Sequence, residues 1–307
     1  MPLHPDIATL LAEADAPGLT PLEQMTIAEA RRLDAEDPPA PGVPLDAVVD
    51  LGNGPVPLRL YRPFGAPTPA PAIVFIHGGG FALCTLSSYD GLCSRLAADS
   101  GAVVVSVDYR LAPEHPFPAA PDDCRQALRW IAAQASALGC DPARLMVAGD
   151  SAGGNLAAVA ALDARDGGGP DLLGQVLVYP VTAHYSAGLA SYGECATGYG
   201  LTAAGMKWMW DHYVSDPALH RHPRLSPLFA PELAGLPPTF LAAVEYDILR
   251  DEAVAYAERL KAAGNAVWHR LYPGVHHGCL SLLGQSDAAD PLWRDMIAWI
   301  RARFAAA

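Results

Sequence analysis

A serine enclosed by glycines constrains the fold of this chain more than any other feature of its sequence. Residues 149–154 read Gly-Asp-Ser-Ala-Gly-Gly, after the apolar run 144–148 and before the Ala-rich stretch 155–165. The run predicts a buried strand and the stretch predicts a helix. Glycines two residues before and after a serine are typical of a sharp strand-to-helix turn that exposes the hydroxyl at the edge of a sheet. Ser151 is therefore a candidate nucleophile.

A second glycine-rich segment, His77-Gly-Gly-Gly80, follows the apolar run 71–76, which also predicts a strand. The bare amide N–H groups of such a loop can point at a negative charge that develops on a substrate oxygen. His77 itself is expected to hold the loop in shape. At the residue frequencies of this chain, the two motifs occur together by chance on the order of once in a thousand chains. The pair indicates acyl transfer to water.

Strand and helix patterns alternate along most of the chain. This alternation is typical of a mainly parallel sheet with helices on both faces. The length of 307 residues and a hydrophobic fraction of 51% are sufficient for one large α/β domain. The predicted strands are 71–76, 102–107, 144–148, 175–179, 239–246 and 266–271, and the predicted helices are 88–99, 119–138, 152–165, 251–263 and 291–304.

Two regions depart from this alternation. The first 45 residues predict a helical arm, and a segment at about 181–236 interrupts the later part of the chain. In that segment the helical stretch 206–213 either packs its apolar face on the domain or lines a pocket with its aromatic rings, and both can hold together. The remaining predicted elements are helices at 6–15 and 21–36, a proline-rich connector at 38–44, and a hairpin of strands 47–51 and 56–61 with its turn at Asn53-Gly54.

Composition and charge exclude several classes of function. The net charge is −13 and the basic residues are scattered, so we expect no nucleic-acid partner. The six cysteines form no Cys-x-x-Cys pair, which argues against a metal site and for buried thiols. The N-terminus has no secretory pattern and no run approaches eighteen apolar residues. We expect a cytoplasmic monomer or homodimer with no membrane partner, no metal and no other cofactor.

A serine hydroxyl needs a base to take its proton and an acid to orient that base. In chains with this serine turn, the expected order is Ser, then Asp or Glu, then His. Asp247 ends the predicted strand 239–246, while His276 and His277 follow the next predicted strand. The order and the placement agree with a Ser-Asp-His site, although position alone does not separate the two histidines.

Other carboxylates compete with Asp247 for the role of the acid. Asp251 and Glu252 are at a predicted helix start, where capping is the more common role. Glu245 lies within the predicted strand 239–246, and we expect it to face away from the site. Asp150 is too close to Ser151 in sequence to reach a histidine that must itself contact the serine. We therefore assign Asp247.

The chain resembles the bacterial hormone-sensitive lipase family of esterases, which has the α/β-hydrolase fold. The resemblance extends from the hairpin near 46–62 to the last helix, and five motifs in the same order make it specific. They are His77-Gly-Gly-Gly-Phe81, Asp108-Tyr-Arg-Leu-Ala-Pro-Glu-His-Pro-Phe-Pro118, Gly149-Asp-Ser-Ala-Gly-Gly154, Glu245-Tyr-Asp-Ile-Leu-Arg-Asp-Glu252 and Tyr272-Pro-Gly-Val-His-His-Gly278.

The resemblance assigns roles to single residues. The family's His-Gly pair matches His277-Gly278, which selects His277 as the base, and Asp247 matches the family's acid. The oxyanion hole is implied to consist of the N–H groups of Gly78, Gly79 and Ala152. The implied reaction is hydrolysis of short- to medium-chain acyl esters.

The resemblance also implies a division of the chain. The arm (residues 1–45) and an insert at about 181–225 are expected to form a cap over a catalytic domain of residues 46–307. The sequence departs from the family at Cys279, Ile248 and Cys84, so both cysteines are candidates for the pocket wall. Glu194 belongs to a Ser-x-x-Glu segment that resembles one reaching the active site in relatives. The alternative is that Glu194 only supports the fold.

Two other functions are compatible with these residues. The same three side chains could cleave amides, carbamates or aryl acetamides, which need stronger protonation of an amine leaving group. A hydrolase-like receptor that binds its ligand without turnover belongs to another class. Plant hormone receptors of this fold lack the histidine, whereas His277 is present here.

Overall fold

The protein, described by a computed structural model, is built on one mixed sheet. Residues 1–14, 20–36 and 39–307 are described, and within them eight strands form this sheet. The strands are β1 (Ala47–Leu51), β2 (Leu58–Arg62), β3 (Ala70–Ile76), β4 (Val103–Val107), β5 (Cys140–Asp150), β6 (Gly174–Val178), β7 (Thr239–Tyr246) and β8 (Val267–His276). Their spatial order is β1-β2-β4-β3-β5-β6-β7-β8.

The strands from β3 to β8 run parallel, and β2 pairs antiparallel with both β1 and β4. Helices cover both faces of this sheet. They are α1 (Pro5–Ala14), α2 (Ile27–Glu36), α3 (Asp90–Ser100), α4 (Ala119–Gln134), α5 (Ala152–Asp166), α6 (Ser191–Glu194), α7 (Ala203–Tyr213), α8 (Arg250–Ala262) and α9 (Asp290–Ala305).

The central strands are buried on both faces, which explains their uninterrupted apolar sequences. In β3 every residue is buried. Val74 belongs to the core layer that includes α4, α5 and α8, and Phe75 belongs to the opposite layer with α3 and α9. The carboxyl ends of six parallel strands therefore meet at one edge, held by core on either side. Among the described residues, no helix is both long and apolar enough to span a bilayer.

The predicted helix over 21–36 is wrong in its first part. Residues Leu22–Gln24 form a short 3₁₀ helix, and α2 begins only at Ile27. The Thr26 N–H donates to Glu29 Oε2 at 2.8 Å, and the Glu29 N–H donates to Thr26 Oγ1 at 3.3 Å. This reciprocal capping box starts a new helix at that point. The predicted helix end at residue 15 and connector start at residue 38 lie outside the described residues.

Two predicted strand boundaries also differ from the structure. Leu51 pairs with Leu58, so residues 52–57 connect β1 to β2 and the hairpin has no two-residue turn at Asn53-Gly54. Pro57 has no N–H for the ladder, which delays the start of β2. The strand predicted over 266–271 continues to His276. Because β8 is an edge strand, it tolerates Pro273 within it.

The arm and the segment between β6 and β7 both attach beside the carboxyl edge of the sheet. In the arm, Arg31 of α2 donates to the carbonyl oxygens of Ala82 at 3.0 Å and Ala112 at 2.8 Å. In α5, the Asn155 side-chain amide donates to the carbonyl oxygens of Val181 and Leu225, each at 2.9 Å. One side chain of α5 thus holds two distant points of the inserted segment.

Candidate active site

Ser151 lies on the predicted sharp turn, between the end of β5 and the start of α5. Its φ of 54° is in the left-handed region, which is uncommon for a residue with a side chain. A Cβ at Gly153 would overlap the carbonyl oxygen of Ile76, so only glycine fits there. The Ser151 N–H donates to the Val178 carbonyl at 2.9 Å, which fixes the turn to β6. The strained turn presents the hydroxyl at the carboxyl edge of the sheet.

His277 and Asp247 reach this hydroxyl from the ends of β8 and β7. His277 Nε2 is 2.9 Å from Ser151 Oγ, and His277 Nδ1 is 2.8 Å from Asp247 Oδ2. The side chains of His277 and Asp247 are 11% and 1% exposed. A carboxylate partner assigns the proton of the neutral ring to Nδ1, which leaves Nε2 to accept the serine hydroxyl. The structure thus brings the three predicted side chains into one hydrogen-bonded line.

His276, which sequence position alone did not separate from His277, points elsewhere. It is buried, and its Nδ1 has no hydrogen-bond partner among the described residues. Burial, together with the neighbouring His277, lowers the pKa of His276 to about 4. The neutral, buried ring of His276 belongs to the packing next to His277.

The carboxylates that competed with Asp247 have other partners. Glu245 accepts the N-terminal ammonium group and the Gly274 N–H, each at 2.8 Å. Asp251 Oδ2 accepts the Ser191 N–H at 2.8 Å, and Glu252 Oε1 accepts the Thr182 N–H at 2.7 Å. These contacts join α8 and β7 to the segments around them.

The loop that follows β3 requires a correction. The Gly78 N–H, predicted as an oxyanion donor, already donates to the Tyr89 hydroxyl at 3.0 Å. Among the described residues, no atom accepts from the N–H groups of Gly79, Gly80 or Ala152. Gly80 was missed because three consecutive glycines look alike in a sequence. The partner that removes Gly78 from the set is eleven residues further along the chain.

His77 is enclosed by the loop that it begins. It is fully buried, its Nδ1 is 2.9 Å from the Gly78 carbonyl oxygen, and its ring stacks on Tyr109 with the centroids 4.3 Å apart. Burial lowers the pKa of His77 to about 4. A neutral ring with these contacts keeps the loop in shape.

Asp150 is a second buried carboxylate close to Ser151. Its Oδ2 accepts the Tyr89 hydroxyl at 2.9 Å. Burial raises the pKa of Asp150 to about 6, and the hydrogen bond from Tyr89 and the nearby His277 oppose that rise. Asp150 therefore supports the loop through Tyr89 rather than the imidazole directly.

Cys84 and Cys279, two of the residues that depart from the family pattern, lie close to the side chains described above. The Cys84 Sγ is 3.3 Å from Asp34 Oδ1, and burial raises the pKa of this thiol well above its usual range. Cys279 is fully buried, which raises its pKa to about 12. Both are protonated thiols at neutral pH. Glu194 is 59% exposed and pairs with Arg250 at 2.6 Å, on the surface.

The aromatic stretch predicted at 206–213 forms α7. Tyr213 stacks on Phe81 with the ring centroids 4.0 Å apart, and Trp210 lies 5.3 Å from the same ring. Both rings are fully buried, whereas Trp208 is half-buried beside His212. These contacts pack α7 against the residue that follows the glycine loop.

An open cavity of about 1100 Å³ lies between the arm and residues 197–205. Leu11, Leu22 and Gly200 are among the residues that line it. A Cβ at Gly200 would be 3.1 Å from the His276 ring, so this wall of the cavity reaches the histidine next to His277.

One group of possible metal ligands shares no residue with the Ser151 site. His4, Asp6 and Asp287 each place a ligand atom within 4.8 Å of the others. His4 Nε2 pairs with Asp287 Oδ1 at 3.0 Å, and both aspartates are exposed. We assign this group no part in the chemistry at Ser151.

Comparisons with known proteins identify the family. A family model described as the alpha/beta hydrolase fold matches residues 73–281, which is more than half of the chain. The carboxylesterase NlhH of Mycobacterium tuberculosis is 42% identical over 251 residues, which cover 80% of this chain and 78% of that protein. The chain belongs to the esterases of the α/β-hydrolase family.

Further relatives of this esterase agree with the assignment. The ethyl acetate hydrolase of Pseudomonas putida is 37% identical over 310 residues, covering 94% of this chain and 96% of that protein. A solved ester hydrolase from the metagenome of Lake Arreo superposes with a TM-score of 0.93 at 40% identity, covering 99% of both chains. The predicted fold, the resemblance to the hormone-sensitive lipase group and the carboxylic ester hydrolase class are confirmed.

Proposed function

We propose that this esterase hydrolyses short- to medium-chain acyl esters through an acyl-enzyme on Ser151. The observation that carries the proposal is the line of hydrogen bonds from Ser151 through His277 to Asp247, at 2.9 and 2.8 Å. A nucleophile, a base and an orienting carboxylate in that order are the parts that acyl transfer needs.

In the proposed first half-reaction, His277 Nε2 takes the proton of Ser151 as Oγ attacks the ester carbonyl carbon. The tetrahedral intermediate collapses, and the His277 imidazolium protonates the departing alcohol. In the second half-reaction, His277 takes a proton from water as the water oxygen attacks the acyl carbon. The bond from that carbon to Ser151 Oγ then breaks, His277 returns the proton to Oγ, and the carboxylic acid leaves. Asp247 holds the ring and stabilises its positive charge throughout.

The oxyanion of the intermediate is proposed to accept hydrogen bonds from Gly79, Gly80 and Ala152. The N–H groups of these three residues bond to no atom in the described part of the chain, which supports this set, and the set replaces Gly78 by Gly80. Ala152 is also the first residue of α5, where the helix dipole favours negative charge. Donors fixed before the reaction stabilise charge without reorganisation.

A short acyl or alcohol group is favoured by the packing of α7. A Cβ at Gly80 would overlap Met209 Sδ, so the methionine side chain lies directly against the proposed oxyanion loop. Arg31 fixes the arm to the carbonyl oxygen of Ala82, two residues further on. These contacts support the proposal that the arm (residues 1–45) and the insert (about 181–225) form a cap over the site in the catalytic domain (46–307).

The test is a series of p-nitrophenyl esters from acetate to palmitate, assayed beside p-nitroacetanilide. We expect kcat/KM to be highest for the short and medium esters and the anilide to be the poorer substrate. Ser151→Ala should lower kcat by roughly 10⁴-fold or more. An organophosphorus ester should label Ser151 in the wild type, as shown by the mass of its tryptic peptide.

Ser106→Ala is the matched control. Ser106 is buried and its hydroxyl has no hydrogen-bond partner among the described residues, so its removal should change kcat by less than about two-fold. Near-normal hydrolysis by Ser151→Ala, or faster cleavage of the anilide than of every ester, would overturn the proposal.

A further inference from the structure

A chain of hydrogen bonds joins the serine turn to the glycine loop. Asp150, next to Ser151, accepts the Tyr89 hydroxyl at 2.9 Å, and the same hydroxyl accepts the Gly78 N–H at 3.0 Å. The tyrosine thus uses its hydrogen for the carboxylate and a lone pair for the peptide. Three segments that are distant in sequence meet at one oxygen atom.

The carbonyl group of Gly78 is hydrogen-bonded as well. The carbonyl oxygen of Gly78 accepts the Tyr109 hydroxyl at 3.0 Å and lies 2.9 Å from His77 Nδ1. Because the Gly78 N–H donates to the Tyr89 hydroxyl, both backbone polar groups of Gly78 are hydrogen-bonded. The next two residues, Gly79 and Gly80, carry N–H groups that have no acceptor within residues 1–14, 20–36 and 39–307. The direction of these groups depends on how Gly78 is held.

Gly78, the Tyr89 hydroxyl and the Asp150 carboxylate are packed closely together. A Cβ at this position would be 2.7 Å from the Tyr89 hydroxyl and 3.0 Å from Asp150 Oδ2. The Tyr89 ring also lies beside Phe75 and His77, with centroid distances of 5.9 and 5.6 Å. The hydroxyl therefore cannot move far without displacing the loop.

We propose that Tyr89 and Asp150 are positioning residues that keep the oxyanion donors of the loop in register with Ser151. The inference rests on the proposed function, because it concerns the charge that develops during that reaction. Asp150 and Ser151 are consecutive, so the chain Asp150–Tyr89–Gly78 ties the donors to the same turn that carries the nucleophile. Neither side chain needs to contact the substrate.

Tyr89→Phe removes one hydroxyl and keeps the ring. We expect kcat for p-nitrophenyl butyrate to fall by roughly 10-fold, which is less than the 10²–10³ lost with a whole oxyanion donor. KM should stay within about two-fold, because the donors act mainly in the transition state. Active-site titration with an organophosphorus ester corrects kcat for any inactive protein.

A second readout separates positioning from simple loss of fold. An alkyl trifluoromethyl ketone forms a tetrahedral adduct with the serine, and the adduct places an oxyanion at the loop. The inhibition constant of Tyr89→Phe should rise by about the same factor as kcat falls. A lower folded fraction would reduce the rate but would leave this constant unchanged.

Asp150 provides a conservative pair of variants. Asp150→Asn retains an oxygen that can accept the Tyr89 hydroxyl and should keep kcat within about three-fold of the wild type. Asp150→Ala removes the acceptor and should match Tyr89→Phe in both readouts. Combining Asp150→Ala with Tyr89→Phe should cost no more than about the larger single effect, since both break one chain. The Asp150 pair carries the test alone if Tyr89→Phe does not fold.

Tyr61→Phe is the matched control. Tyr61 is buried, and its hydroxyl donates to Asp90 Oδ1 at 2.6 Å, so the variant deletes the same kind of bond outside the site. Its kcat and inhibition constant should stay within about two-fold of the wild type.

The outcomes separate this inference from the proposed function. A wild type that is neither active nor titrated refutes the proposed function and the inference with it. An active wild type with Tyr89→Phe and Asp150→Ala unchanged in kcat and inhibition constant refutes the inference alone. Loss in Asp150→Asn equal to that in Asp150→Ala also refutes it, because the charge rather than the hydrogen bond would then matter.

Discussion

The two halves of the candidate site are held in different ways. Ser151, Asp247 and His277 follow the ends of three parallel strands, so the sheet itself brings them together. The glycine loop follows β3 as well, but its amide directions depend on side chains from elsewhere, above all Tyr89 and Tyr109. The strand ends follow from the order of elements along the chain, whereas the loop is set by remote hydrogen bonds. Substitutions should therefore act differently in the two halves.

We call Ser151, Asp247 and His277 the strand-borne half of the site. In this half, Asp247→Asn should lower kcat by roughly 10⁴-fold, because the amide does not hold His277 in the productive tautomer. Steady-state rates with p-nitrophenyl acetate give the effect. Glu245→Gln changes a carboxylate two residues away and should stay within about three-fold. Equal losses in the two variants would contradict the assignment of Asp247 and the claim that the strand end selects it.

The loop half of the site is the glycine loop, residues 77–80. In this half, Gly80→Ala should lower kcat by roughly 10²-fold, because the new Cβ overlaps Met209 Sδ and changes the direction of the Gly80 N–H group. Adding Met209→Ala removes the obstructing atom and should restore part of the rate. The φ of 57° at Gly80 still disfavours alanine, so recovery stays incomplete. No recovery in the double variant, measured at saturating substrate, would show that Met209 does not press on the loop.

Acidification should also weaken the glycine loop through His77. The pKa of the buried His77 is lowered to about 4, so the unfolded chain binds a proton that the folded one excludes. The stability that this provides is present above pH 6.5 and is lost as the pH falls towards 4, by about 3 kcal/mol in all. Asp150, whose pKa is raised to about 6, acts in the opposite sense.

Urea unfolding at pH 7 and pH 4.5 measures this dependence. His77→Asn keeps a donor for the Gly78 carbonyl and should lose stability less steeply on acidification than the wild type does. Identical slopes for the two proteins would mean that His77 is not the group that titrates.

The smallest effect is expected outside both halves. Glu194→Gln breaks an exposed ion pair with Arg250 and should cost less than about 1 kcal/mol, with kcat changed by less than about two-fold. Urea unfolding and initial rates check both values. A kcat loss of roughly ten-fold would instead give Glu194 a role at the site.

The fold, and with it the position of Ser151, Asp247 and His277 after three strands, could be predicted because the alternation of strands and helices is visible in the sequence. The capping box Thr26-x-x-Glu29 was also readable and would have placed the start of α2 correctly. The choice between Gly78 and Gly80 was not readable, because it depends on the hydrogen bond from Gly78 to the Tyr89 hydroxyl, which in turn bonds Asp150, 61 residues from Tyr89. Long-range partners of this kind leave no local pattern.

The two hydrogen bonds made by Asn155 have a consequence for how the inserted segment can vary. Its amide fastens the carbonyls of Val181 and Leu225 to the helix that begins beside Ser151. Between those two anchors, segments other than α7 and the residues bonded to α8 can change in length while the anchors stay in place. Insertions or deletions there are thus expected to leave the turn that carries Ser151 in place, so substrate range can vary apart from the catalytic side chains.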